Sequence, residues 1–215
     1  MRPRERLGFD ERRQRLATRG MQLVLLGITV LGAMELRAGV MVNGGMALAL
    51  TFLPALLERD YDIPLDAGLA FWLTTAVFLH AVGGLGPYRT VWWWDHVTHF
   101  LSATIVGAAG YTAARAADVH SDEIVIPPRF MFVVILLFVV AFGVIWEVLE
   151  FGLGLIGERA EGLRVLTQYG VHDTMLDLVF DMAGGVVVAV WGTAYLTDVV
   201  GSVTRLLERR DGRHG

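Results

Sequence analysis

Three aspartates spaced four residues apart, at the head of an apolar segment, set the tightest constraint on this chain. The stretch HDTMLDLVFDMAGG (172–185) runs on into VVVAVWGTAYL, which ends at Leu196. On a helix, each step of four residues leaves about 40° of rotation, so Asp173, Asp177 and Asp181 share one face within roughly 80°. The segment is long and apolar enough to cross a bilayer. An acid inside such a segment costs about 2.5–3.5 kcal/mol on insertion scales, so three on one face mark a functional surface.

The membrane pattern recurs along the chain. Of 215 residues, 54% are hydrophobic, against about 45–50% in soluble domains, and the mean hydropathy is +0.53. Apolar runs cover 21–34, 40–57, 67–85, 92–117, 130–155 and 174–196. They predict an all-α bundle of six transmembrane helices. Read as one helix, residues 21–57 would be about 55 Å long, too long for one crossing of a roughly 30 Å core. A helical hairpin with Glu35 and Arg37 at its tip resolves this. Arginine counting agrees: six spans put 14 arginines on the side of the termini and 4 on the other, whereas a single crossing over 21–57 gives 10 and 7. The expectation is an Arg-rich cytoplasmic tail over 1–20, a six-span domain over 21–198 and a basic cytoplasmic tail over 199–215. The protein is thus expected as a multi-pass protein of the inner (cytoplasmic) membrane, surrounded by lipid.

Several chemistries are excluded. There is no Cys, so no disulfide and no thiolate metal site. No P-loop, dinucleotide fingerprint, G-x-S-x-G elbow or H-E-x-x-H is present. The N-terminal arginines are interspersed with Glu5, Asp10 and Glu11, which fits an anionic lipid surface and argues against nucleic acid.

Three segments carry ionisable residues into the apolar runs. WWWDHVTHF opens the fourth with Asp95, His96 and His99; WEVLEF closes the fifth with Glu147 and Glu150; the aspartate face opens the sixth. In the six-span topology all three fall in the outer half of the membrane, and Asp181 lies about 12 Å below Asp173. Apart from Arg115 at the inner end of the fourth run, no Arg or Lys lies within these spans to neutralise the six carboxylates. Either several carry protons or cations sit among them. Imidazole and carboxylate suit Zn²⁺, Mn²⁺ or Fe²⁺, and helix bundles build metal sites from such residues at three- and four-residue spacing. His99, Glu147, Asp177 and Asp181 are the candidate ligands, with Asp95 beside them. Glu150 and Asp173 are candidate supporting groups or a general base. Asp95 and Asp173 also stand where helix caps form. His80 and His172 have no convergent partner by spacing and read as structural, His120 as exposed, and Trp92, Trp93 and Trp94 as an interfacial aromatic belt. Gly107, Gly110, Gly184 and Gly185 read as close-packing points between helices.

These segments resemble the YjdF-like family of bacterial and archaeal inner-membrane proteins over roughly residues 92–190. The resemblance rests on Asp95 with His99-Phe100, on Trp146-Glu147 with Glu150, and on Asp173-Thr174 with Asp177, Asp181 and Gly184. Ser102 stands where the family often has Gly, and His96 lies outside its pattern. The family implies a multi-span membrane protein and assigns no reaction.

Three functions stay open on the residues alone. The first is a divalent-metal hydrolase or transferase at the outer leaflet acting on lipid or a lipid-linked substrate, with Arg89, Arg159 and Arg164 near the headgroup. The second is a transporter moving protons or divalent cations, against which stands the lack of Asp, Glu and His in the inner halves of the last three spans. The third is a non-enzymatic protein with a structural metal site. The sequence does not fix the oligomeric state.

Overall fold

The computed structural model describes residues 10–159, 170–192 and 195–211. Among them the regular structure is entirely helical: α1 Glu11–Met34, α2 Ala38–Leu50, α3 Leu53–Tyr61, α4 Ala67–Gly83, α5 Pro87–Thr90, α6 Trp94–His120, α7 Pro128–Arg159, α8 Val171–Trp191 and α9 Thr197–Asp211. By length and apolarity, α1, α7 and α8 qualify to cross a membrane, and a fourth span exists if α2 and α3, bent by 40° at their junction, count as one. That is fewer than the six expected. α4 is apolar but only 17 residues long. α6 has 27 residues, but Asp95, His96 and His99 at one end and Arg115, Asp118 and His120 at the other dilute its apolar stretch.

Helix boundaries depart from the hydropathy runs for local reasons. The Asp10 carboxylate accepts the Arg12 N–H and caps α1, so the helix takes in ten residues of the expected tail; residues 1–9 lie outside the described ones. The run 40–57 breaks at Thr51-Phe52. Pro54 has no N–H to donate and falls in the first turn of α3, where none is needed. The Thr51 hydroxyl donates to the Leu48 carbonyl at 2.7 Å and accepts from the Gln22 amide at 3.0 Å, which ties the break to α1.

The hairpin is present. Arg37 N–H donates to the Gly32 carbonyl at 2.8 Å across the turn. A Cβ on Gly32 would lie 2.6 Å from the Met41 backbone nitrogen, and one on Gly44 would lie 2.9 Å from Thr29 Oγ1. The backbones of α1 and α2 therefore touch in antiparallel register.

The helices form two packing units. Leu25, Ala47 and Ala81 join α1, α2 and α4. Ala103, Tyr111, Met131, Ile135, Val139, Val188, Leu196 and Val200 join α6, α7, α8 and α9. A Cβ on Gly184 would lie 2.5 Å from the Phe100 carbonyl oxygen, so α8 lies directly against the α6 backbone, the small-residue packing that membrane helices use. Gly107, Gly110 and Gly185 likewise face Val139, Phe138 and Leu136 at close range. The units meet at α4 and α6, where Trp72 Nε1 donates to Thr104 Oγ1 at 2.8 Å. Large apolar side chains such as Leu137, Val148, Phe151 and Val179 point outward, as lipid-facing surfaces require.

Candidate metal centre

The first turns of α6 and α8 and the last third of α7 gather at one end of the bundle. Asp95 and His99 are one turn apart on α6, as are Asp177 and Asp181 on α8. Asp177 is the deepest polar residue of the group, 1% exposed, with Glu147 and Asp181 each at 5%. His99 lies between the two pairs. Its Nε2 is 3.7 Å from Asp95 Oδ1 and 4.0 Å from Asp177 Oδ2, and its Nδ1 is 3.3 Å from Asp181 Oδ1. Asp95, His99 and Asp177 each offer one ligand atom within 4.8 Å of the others.

The spacings decide what these atoms can do. At 3.7 and 4.0 Å the contacts to His99 Nε2 exceed hydrogen-bonding distance. Ligands about 2.0–2.2 Å from a tetrahedral ion stand roughly 3.3–3.6 Å apart, so a small inward shift would close the trio on a metal. The 3.3 Å approach of His99 Nδ1 to Asp181 has the carboxylate–imidazole form that orients a metal-binding histidine. A Cβ on Gly143 would lie 2.5 Å from Asp181 Oδ2, so the missing side chain on α7 is what makes room for this acid.

The remaining acids have other partners. Glu147 Oε2 accepts from the Thr174 hydroxyl at 2.7 Å, and Glu150 Oε1 accepts from Trp146 Nε1 at 3.1 Å. Neither joins the trio. Asp173 is half-buried in the first turn of α8, as Asp95 is in that of α6; the caps themselves are Gly170 and Trp93, without side-chain bonds. Among the described residues no arginine pairs with any of the six acids. Arg164 lies outside the described residues, as does the Arg159 side chain.

Two features were not visible in the sequence. His80 does have a partner: Tyr88 Oη stands 2.8 Å from His80 Nδ1 and 3.4 Å from Thr98 Oγ1. Burial pushes the Tyr88 phenol above its ordinary value, so it stays a hydroxyl. The second is a cavity of about 280 Å³ beside the trio. His80, His99 and Asp181 form its polar edge, and Met46, Ala47, Val106, Val139 and Phe142 form its apolar wall. α2 and α7 face each other across it without packing closely together.

The family described as "Predicted membrane protein (DUF2238)" matches residues 17–198, in keeping with the resemblance carried by the three acidic segments. A relative from Thermotoga maritima, described as "Uncharacterized protein", is 31% identical over 135 residues, which is 62% of this chain and 66% of the relative, just under two thirds of its length. No solved structure matches the chain.

Proposed function

We propose, for a chain that belongs to this family of predicted membrane proteins, a divalent-metal hydrolase or transferase that acts on a lipid or lipid-linked substrate at the outer leaflet. The observation that carries the reading is the convergence of Asp95, His99 and Asp177 on one point, with no arginine among the described residues paired to them. The ligand types fit Zn²⁺, Mn²⁺ or Fe²⁺. Such an ion would polarise a phosphoryl or acyl oxygen and acidify water. His99 would offer its Nε2 to such an ion, because Asp181 holds its Nδ1 at 3.3 Å. Glu147 and Glu150, anchored by Thr174 and Trp146, stand as carboxylates near the centre for proton transfer. Asp173 stays a supporting acid.

The lipid substrate follows from the cavity. It adjoins His99 and Asp181 on the side of the mid-helix residues Val106 and Val139, its wall is apolar, and it lies between helices that do not close on each other. An alkyl chain fits there while its polar end reaches the metal. This reading takes α1, α2 with α3, α4, α6, α7 and α8 as six spans. α4 is then a short crossing, α6 a polar one, both termini are cytoplasmic, and the inner membrane is the location.

The test uses purified protein in vesicles of phosphatidylglycerol and phosphatidylethanolamine, with Mn²⁺ or Zn²⁺ added. Turnover of lipid that stops with chelator and in Asp177→Asn is the expected result. Metal bound without turnover of any lipid class would leave a structural metal site instead.

A further inference from the structure

We propose a second metal position at this centre, between His96 Nδ1 and Asp177 Oδ1, so that Asp177 bridges two ions. It rests on the metal reading above and adds a residue that the trio does not contain.

Three buried polar atoms among the described residues lack a hydrogen-bond partner: His96 Nδ1, Asp177 Oδ1 and Glu147 Oε1. Buried polar atoms are paired in nearly all proteins, and each exception calls for a cause. Here two of the three face each other. His96 Nδ1 is 3.6 Å from Asp177 Oδ1, with the side chains 13% and 2% exposed. That gap is too wide for a hydrogen bond and matches the edge of a tetrahedron around an ion.

The His96 ring is set without polar contacts. It stacks on Phe180 with centroids 4.6 Å apart and planes 2° from parallel, and Trp92 meets it edge-on at 6.5 Å. Aromatic packing therefore fixes the ring plane and leaves Nδ1 aimed at the acid. Asp177 then has one oxygen toward His96 and the other toward His99. A carboxylate with its oxygens directed at two different imidazoles has the form of a bridging ligand, and two-metal sites hold their ions about 3.5–4 Å apart. Glu147 carries the third unpartnered atom. Its Oε2 is held by Thr174 and its Oε1 is unpartnered. Two divalent ions would also balance more of the six-carboxylate charge than one.

The test is metal stoichiometry on the full chain in detergent, loaded with Mn²⁺ and freed of excess, by elemental analysis and electron paramagnetic resonance. The wild type is expected to hold two ions per chain with an exchange-coupled spectrum. His96→Phe keeps the stack on Phe180 and removes the nitrogen; it is expected to hold one ion with an uncoupled spectrum. Asp177→Asn is expected to lose both. One uncoupled ion in the wild type, unchanged in His96→Phe, overturns the second position and leaves the single-metal reading standing. No ion in the wild type overturns both. The wild-type count and spectrum decide the matter even if a variant does not fold.

Discussion

The two ends of the bundle treat acids in opposite ways. At the end that carries α9, three acids have basic partners: Asp118 pairs with Arg115, Asp211 with His120 at 2.8 Å, and Asp62 with Arg209 at 3.1 Å. Asp118 also accepts the Ile126 N–H at 2.6 Å, which fixes the loop after α6. At the other end six carboxylates face two histidines and no arginine among the described residues. The same chain, with eighteen arginines to place, answers acids with guanidinium where structure needs it and withholds it where the acids converge. Unpaired buried carboxylate is costly, and this contrast is what supports the proposed metal centre.

Four measurements break or sharpen this contrast. The largest effect is expected from metal itself. At a free concentration 100 times Kd, a single bound ion stabilises the fold by about 2.7 kcal/mol, read as a rise in thermal midpoint in detergent. Asp177→Asn loses that rise; a midpoint indifferent to metal in the wild type would remove the contrast. Next come the residues that orient His99. Asp181→Ala is expected to weaken metal binding by roughly 10–100-fold, and Gly143→Ala by a similar factor, because its Cβ displaces Asp181; calorimetric titration checks both. Unaltered affinity in the pair would place Asp181 outside the centre.

Third is a pH effect at Tyr88. Its folded phenol titrates above the unfolded one, so the folded chain keeps a proton that the unfolded chain loses. Stability is unaffected below about pH 10 and then falls by up to about 1.4 kcal/mol per pH unit. Tyr88→Phe is expected to flatten that slope in a pH series of unfolding midpoints. The smallest effect is at the α9 end. The Arg209 and Asp62 side chains are 57% and 72% exposed, so Arg209→Ala is expected to cost about 0–1 kcal/mol and leave metal affinity unchanged. A loss of metal there would mean the two ends are coupled.

The period of four in α8 made the shared face of Asp177 and Asp181 legible in the sequence, because helical rotation alone sets it; that this face meets α6 came from packing. The hairpin was legible too, since length forbids one crossing. What pairs with what was not. His99 was read as a ligand from its spacing to Asp95, but which nitrogen meets which acid depends on the close approach of Gly184 to Phe100. His96 lay one residue outside the pattern, and its ring is placed by Phe180 on another helix. The His80–Tyr88 contact depends on a four-residue helix between two turns, and the cavity depends on a gap between α2 and α7. Such distances arise only when separate elements pack.

Gly184 has a mechanical consequence. With no side chain between α8 and the carbonyl of Phe100, the residue next to His99, these two helices cannot slide or rotate past one another without collision. The backbone spacing beneath His99 and Asp177 is thereby set by main chain, so closing the trio falls to side-chain movement. Any breathing that admits or releases a guest falls to the partners that lack such a clamp, α2 and α7.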